Sequence, residues 1–122
     1  MKFRCERDTL ADAIAVAQRA VASRTGALPV LSGLRVSPTE AGVELVGSDL
    51  ELTIRVEAPA DTEGEGSSVV PARLFSEIVH KLEAGTVTVE FTDDEARVEA
   101  GRFRTALRTL SAADFPRLTE PS

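Results

Sequence analysis

The feature that most constrains the fold is a pattern of strand, helix and three strands that occurs twice, with a period of roughly 60 residues. Alternating apolar and polar residues predict the strands, and apolar residues three and four apart predict the helices. The first copy comprises a strand over Lys2–Glu6, a helix from Asp8 or Thr9 to about Ala22, and strands over Ser32–Ser37, Val43–Gly47 and Leu50–Ala58. The second comprises a strand over Ser67–Val70, a helix opened by Pro71 and closed by Gly85, and strands over Thr86–Phe91, Ala96–Ala100 and Phe103–Leu110.

Each predicted helix has one apolar face that must be covered. In the first helix Thr9 and Asp12 could form a capping box, and the apolar face holds Leu10, Ile14, Ala17 and Val21. In the second helix that face holds Leu74, Phe75, Ile78, Val79 and Leu82. Two helices cannot cover two sets of strands separately, so we expect one α+β domain with both helices side by side against a shared antiparallel sheet layer. The acidic, glycine-rich segment 59–66 then links two copies of one pattern rather than two unrelated domains.

Side chains that catalyse reactions are scarce in this sequence, which has one His, one Cys and neither Tyr nor Trp. His80 lies on the polar side of the second predicted helix, where a solvated or ligand-facing position is favoured over catalysis. Cys5 is expected to be a small core residue, and a single cysteine excludes an intramolecular disulfide. The acidic run 93–95 suits a turn better than a metal site. We therefore expect no enzyme activity, no metal site and no cofactor.

The net charge of −6 taken alone argues against a nucleic-acid binder, but the charge is unevenly distributed. Residues 40–66 contain eight acidic side chains and one basic one, Arg55. The outward helix faces and the loop after the first helix instead hold basic residues: Arg19, Arg24, Arg73, His80 and Lys81. Side by side, the helices would form one basic surface able to hold phosphates. Ordinary solvated helix surface is the alternative, because Asp12 and Glu77 lie on the same faces.

The chain has no apolar run of about 18 residues that could span a membrane. Its first eight residues contain no signal-peptide core, so a cytoplasmic protein is expected.

Five segments, in order along the chain, resemble the bacterial DNA polymerase III beta subunit family, the DNA sliding clamps. They are Met1–Phe3, Leu28–Leu31, Gly47–Glu51, Val70–Phe75 and Thr109–Pro116. The resemblance implies a clamp fold of two βαβββ halves and a non-enzymatic processivity factor for DNA replication. It also implies that residues 1–118 are the first of three similar domains and that residues 119–122 start the linker to the next, so the chain looks like a fragment. Two full-length subunits would close head to tail as a ring around duplex DNA and tether the polymerase.

The resemblance assigns the helices to the lining of the hole. Arg24 and Arg73 fall on positions of DNA-contacting arginines, and His80 stands where relatives can carry an arginine. Arg19 and Lys81 are added to this set from helix geometry alone. Such contacts are to phosphates rather than base edges, so they carry no sequence preference and let a ring slide.

The last strand resembles the edge that meets the third domain of the partner subunit. On it Phe103, Thr105 and Leu107 alternate with Arg102, Arg104 and Arg108, and Leu74 on the second helix is added to this interface. The alternative is an ordinary edge strand protected by charge. The peptide pocket that recruits polymerases, and contacts with the clamp loader, are implied to lie in other domains. The second hypothesis for the whole chain is a stand-alone α+β protein-interaction module unrelated to DNA.

Overall fold

The computed structural model describes residues 1–20, 33–48 and 52–110, which form two helices and nine strands. In chain order the elements are β1 (Lys2–Glu6), α1 (Arg7–Gln18), β2 (Gly33–Pro38), β3 (Gly42–Ser48), β4 (Thr53–Pro59), β5 (Asp61–Glu63), β6 (Ser68–Pro71), α2 (Ala72–Lys81), β7 (Thr86–Phe91), β8 (Glu95–Ala100) and β9 (Phe103–Arg108). The predicted α+β class and the twofold βαβββ order are confirmed.

The strands form two antiparallel sheets, in the orders β5-β1-β7-β8-β9 and β4-β3-β2-β6. The first strand of each copy lies in the sheet of the other copy: β1 pairs with β7, and β6 pairs with β2. Phe3 is thus opposite Val89, and Leu34 is opposite Val70. The predicted shared sheet layer is therefore wrong in detail, because the strands are divided between two sheets, each built from both copies.

The chain also crosses between the sheets after the last strand of each copy. After β4, residues Asp61–Glu63 pair with β1 in the other sheet. After β9, the Leu110 amide donates a hydrogen bond of 2.8 Å to the Val69 carbonyl in β6. The segment 59–66, predicted to be only a linker, thus contains the short strand β5. Both crossings tie the two sheets together.

The core lies between the helices and the sheets. Its largest fully buried side chains include Phe3, Leu10, Ile14 and Phe75, and the rings of Phe3 and Phe91 lie 6.2 Å apart. Leu74, predicted to lie on the core side of α2, is instead 46% exposed. Phe75 and Val79, four residues apart, set the direction of the buried face, and Leu74 is turned away from it by about 100°.

Both helix starts differ from the sequence prediction. α1 begins at Arg7 with Glu6 at the N-cap position, and that residue makes no side-chain capping bond. Thr9 therefore lies inside the first turn, so the predicted capping box is wrong. The helix ends at Gln18, before the predicted Ala22, and Val21 is outside the described residues. In α2, Pro71 is the N-cap residue and Ala72 is the first helical residue.

β3 passes directly against the last turn of α1 at Gly47. A Cβ atom added there would lie 2.2 Å from the carbonyl oxygen of Ala17, a backbone atom that can yield only if the helix moves. Glycine at this position therefore sets the distance between α1 and the sheet.

We expect Gly47→Ala to lower the free energy of unfolding by about 2–3 kcal/mol, because the helix must shift to admit the methyl group. Urea unfolding would measure this loss. Gly66→Ala is the control: its added Cβ meets nothing within 4 Å, and only its backbone conformation, with φ of 104°, opposes the change. That should cost about 1–2 kcal/mol, and an equal or larger loss at Gly66 would contradict the steric explanation.

Candidate nucleic-acid interface

The two helices pack against each other, and the amino end of α1 meets the carboxyl end of α2. The Arg7 amide donates to the Gly85 carbonyl at 2.8 Å. Its guanidinium donates to the carbonyls of Leu82 and His80, at 3.1 and 2.9 Å. The outward sides of both helices thus belong to one layer, which we call the helical face. Its charged or ionisable members, all exposed, are Asp8, Asp12, Arg19, Arg73, Glu77, His80 and Lys81.

Four of the five residues predicted to contact DNA lie on the helical face. Arg19 follows the last residue of α1, and Arg73, His80 and Lys81 project from α2. The periodicity of the sequence is sufficient to predict these positions, because each is three, four or seven residues from another exposed position on its helix. Arg24, the fifth residue, is outside the described residues.

The helical face carries both signs of charge, as Asp12 and Glu77 indicated. Arg73, with 90% of its side chain exposed, lies 3.5 Å from Glu77 one turn later on α2. Such an exposed pair stabilises a helix by only about 0.3–0.5 kcal/mol. Arg73 can therefore exchange its carboxylate partner for a phosphate at little cost.

His80 is held by its own helix. Its Nδ1 atom lies 2.7 Å from the carbonyl oxygen of Ser76, and because a carbonyl can only accept, Nδ1 must carry the proton. The neutral ring then presents Nε2 to solvent as an acceptor. Only the doubly protonated ring could donate to a phosphate from that side, so His80 is a weaker anion ligand than an arginine would be.

β9 forms the outer edge of the five-stranded sheet, and no described strand pairs with its other side. Phe103 is 47% exposed there, and the Arg104 side chain is 79% exposed and lies 3.7 Å from Glu99. Arg102 and Arg108 are also exposed, and Thr105 is half-buried. The edge thus carries one half-exposed aromatic ring on the face that it shares with Thr105, and exposed arginines on the alternate face.

Leu107, predicted to be an apolar anchor of that edge, is buried where Phe103 is exposed. It is only 3% exposed and belongs to the core, opposite the fully buried Ala96. Its side chain lies on the core face of the sheet, and its predicted role at a subunit interface stays a prediction.

The exposed apolar residues Leu74 and Phe103 do not form one patch. Phe103 lines a cleft of about 690 Å³ together with Lys81 and Leu82, at the carboxyl end of α2. Leu74 lies near the amino end of that helix, about 10 Å earlier along its axis. Any partner touching both must extend along the whole of α2.

Cys5 is structural, as predicted. It is 4% exposed, and its thiol donates to the Pro59 carbonyl at 3.4 Å. Burial, with a smaller contribution from the charge of Glu6, raises the pKa of the Cys5 thiol and keeps it protonated at neutral pH. Within residues 1–20, 33–48 and 52–110, no group of three or more His, Cys, Asp or Glu side chains is placed to hold a metal ion. None of the described helices is both long and apolar enough to cross a membrane.

Sequence reasoning did not single out Arg7. A charged residue between a predicted strand and a predicted helix looks like any solvated junction residue. The two carbonyls that its guanidinium binds at the end of α2 lie 73 and 75 residues away along the chain, and no local pattern identifies them.

Comparison with known proteins gives one consistent family. Residues 1–119 match the family model described as DNA polymerase III beta subunit, N-terminal domain. The chain is 40% identical over 121 residues to the Beta sliding clamp of Micrococcus luteus, and 37% identical over 120 residues to that of Streptomyces coelicolor. Each alignment covers 98% of this chain but only 38% and 32% of the relative. The chain thus spans about a third of the length of these relatives.

Solved structures agree with this result. The DNA polymerase sliding clamp from Bacillus subtilis superposes with a TM-score of 0.89 at 32% identity, over 98% of this chain and 34% of that one. The Caulobacter crescentus pol III beta structure gives a TM-score of 0.91 at 33% identity, over 99% of this chain and 33% of that one.

Leu107 and Phe103 occupy equivalent positions in the alternation of β9, but only Leu107 is buried. We expect Leu107→Ala to lower the free energy of unfolding by about 2–5 kcal/mol, because it leaves a cavity in the core. Phe103→Ala should cost less than about 1 kcal/mol, because nearly half of that ring is already exposed. Chemical denaturation of both variants checks this, and similar losses would contradict the difference in burial between the two side chains.

Proposed function

Because the chain belongs to the DNA polymerase III beta subunit family, we propose that it is the N-terminal domain of a DNA sliding clamp. Such a clamp is a ring-shaped homodimer that encircles duplex DNA and tethers the replicative polymerase. The observation that carries this proposal is the family match over residues 1–119, supported by the superposition on two solved clamps. In this proposal residues 1–118 form the domain, and residues 119–122 open the linker to the next one.

The mechanism is enclosure. A closed ring loses DNA only by opening or by reaching a DNA end, so each protein–DNA contact can be weak. α1 and α2 would line the hole, with Arg19, Arg24, Arg73, His80 and Lys81 facing the phosphates. Contacts of this kind depend on charge and not on the base sequence of the DNA, so the ring can slide. Mixed charge on the helical face also suits sliding, because it prevents the domain from gripping one position.

Ring closure would use the β9 edge. Phe103 and Thr105 supply apolar and half-buried contact, and Arg102 and Arg104 supply charge for pairing with the third domain of a second subunit. Leu74 would extend that contact along α2. Such a head-to-tail interface generates a closed ring when its rotation closes. β4, the counterpart of β9 in the first copy, also has an outer edge that no described strand covers, which suits a domain with neighbours on both sides.

In this proposal the protein is not an enzyme, acts in the cytoplasm, and binds its polymerase and clamp loader through domains outside this chain. No membrane contact and no cofactor are part of the mechanism. A stand-alone protein-interaction module is the less favoured alternative, because the relatives found by sequence and by structure are sliding clamps.

Reversing charge on the proposed DNA-facing surface tests the proposal. We expect Arg24→Glu with Arg73→Glu, in the full-length subunit, to weaken duplex binding about tenfold or more, because two phosphate contacts become repulsive. The slope of log affinity against log salt should fall by about 2. Fluorescence anisotropy with a short duplex, and loading onto nicked circular DNA, measure these changes.

Arg97→Glu is the matched control, because Arg97 is exposed on β8, within the sheet and away from the helical face. It should leave DNA binding within about twofold of the parent, since it removes no proposed phosphate contact. Unchanged loading of the double variant, or an equal loss in the control, would overturn the assignment of the helices to the DNA side.

The β9 edge is tested by Phe103→Asp in the full-length subunit. We expect it to weaken the dimer by about 2–4 kcal/mol, because a charge replaces an aromatic anchor at the interface. Sedimentation over a range of concentrations would show the shift towards monomer, with Arg97→Glu again as control. A dimer of unchanged strength would exclude this edge as the interface.

A further inference from the structure

Arg7 fastens the carboxyl end of α2 although it belongs to α1. Its Nε and Nη2 atoms donate to the carbonyl oxygens of Leu82 and His80, at 3.1 and 2.9 Å. Its Nη1 atom lies 2.7 Å from Asp8 Oδ1, and its main-chain amide donates to Gly85 at 2.8 Å. One residue thus holds both the last turn of α2 and the segment that leaves it.

The end of α2 depends on these bonds because it lacks a glycine cap. Its C-cap residue, Leu82, is extended, with φ of −75° and ψ of 151°, so the helix does not close in the left-handed conformation that usually satisfies its last carbonyls. Arg7 supplies donors to two carbonyls at this end and places a positive charge where the helix dipole is negative. Only 26% of its side chain is exposed, against 90% for Arg73, so Arg7 is engaged rather than available to a ligand.

The turn that Arg7 holds is the one that carries His80 and Lys81. Both side chains are exposed, and one of the carbonyls bonded by Arg7 belongs to His80 itself. We propose that Arg7 is a positioning residue that sets where the end of α2 presents Lys81 and His80 to phosphate. This inference rests on the proposed function, in which the helical face meets DNA.

The geometry explains why arginine is needed at this position. A guanidinium offers several N–H groups in a fixed fork, so it can bind two carbonyls and the Asp8 carboxylate together. A lysine keeps the charge but has a single nitrogen, which cannot reproduce that fork. Arg7→Lys should therefore preserve only part of the effect, and Arg7→Met should remove it while keeping the length of the side chain.

The first test needs no DNA. His80 is the only histidine in the chain, so its ring nitrogens can be identified without ambiguity in a ¹⁵N NMR spectrum. In the parent, the bond from Nδ1 to Ser76 should give the spectrum of an Nδ1-protonated ring. We expect Arg7→Met to release the last turn and shift the ring towards a mixture of tautomers, with an intermediate shift in Arg7→Lys. Backbone amides of Val87 and Val98, in β7 and β8, report whether the fold is intact.

The second test uses DNA binding by the full-length subunit and a double-mutant cycle. We expect Arg7→Met to weaken duplex binding by about as much as Lys81→Gln, about threefold to tenfold each, with the salt slope lowered by about 1. Adding Arg7→Met to Lys81→Gln should weaken binding by no more than about twofold further, because both act through the same turn. Arg97→Met controls for the loss of one positive charge.

The outcomes separate the two proposals. An unchanged His80 spectrum in Arg7→Met, or fully additive losses in the cycle, would overturn the positioning role even where Lys81→Gln weakens DNA binding as expected. If Lys81→Gln and the reversal of Arg24 and Arg73 both leave DNA binding unchanged, the proposed function of the helical face fails, and the positioning role fails with it. If Arg7→Met does not fold, Arg7→Lys carries the same two measurements, and parent-like values for it would also overturn the proposal.

Discussion

The exchange of β1 and β6 between the two copies is the constraint on which the rest of this structure depends. β1 completes the sheet formed by β7, β8 and β9, and β6 completes the sheet formed by β2, β3 and β4. Neither copy can satisfy the backbone groups of its sheet without the other, so both must fold together. The crossings at β5 and at Leu110 add backbone hydrogen bonds between the end of each copy and its own first strand, which lies in the other sheet.

The same exchange explains why the helices share one layer. Each helix starts immediately after an exchanged strand: Arg7 follows Glu6, and Ala72 follows Pro71. The helices are thereby brought together over the core, with Phe75 and Ile14 fully buried beneath them. The outward surface that remains carries both signs of charge. A net charge of −6 for the whole chain is therefore compatible with a local surface that meets phosphates, because the described acidic residues of the segment 40–66 lie on β3, β4, β5 and their turns and not on the helices.

Each sheet ends in a strand with an open side, β9 in one and β4 in the other. An open strand edge invites unwanted pairing, and charged side chains usually protect it. Arg104 and Arg108 on β9, with Arg102 just before it, do this. The other face of the same strand carries a half-exposed phenylalanine, Phe103, which an ordinary protected edge does not need. In the proposed homodimer, the Phe103 side chain would contact the second subunit. That contact also makes the edge, rather than the helical face, the place where apolar contact is concentrated.

The sequence by itself determined what local periodicity can encode. β1 and β7 lie within the bounds expected from alternation, the βαβββ order recurs, and the exposure of Arg73, His80 and Lys81 follows from helix spacing. The family could also be predicted from the sequence, because five short segments resemble it in the same order along the chain. The start of α1 could not be predicted, because the chain passes directly from a strand into a helix at Glu6 and no side chain there caps the helix.

Only the tertiary structure decided which strands pair and that a strand of three residues forms at β5. It also decided that Leu107 is buried while Phe103 and Leu74 are exposed. The hydrogen bonds from Arg7 to the end of α2 could likewise be seen only in the structure. Each of these depends on partners distant in the chain: Leu107 and Phe103 alternate alike in sequence, and only the packing above the sheet distinguishes them. Local pattern specifies which face a side chain shares with its neighbours. Whether that face is covered is a property of the assembled fold.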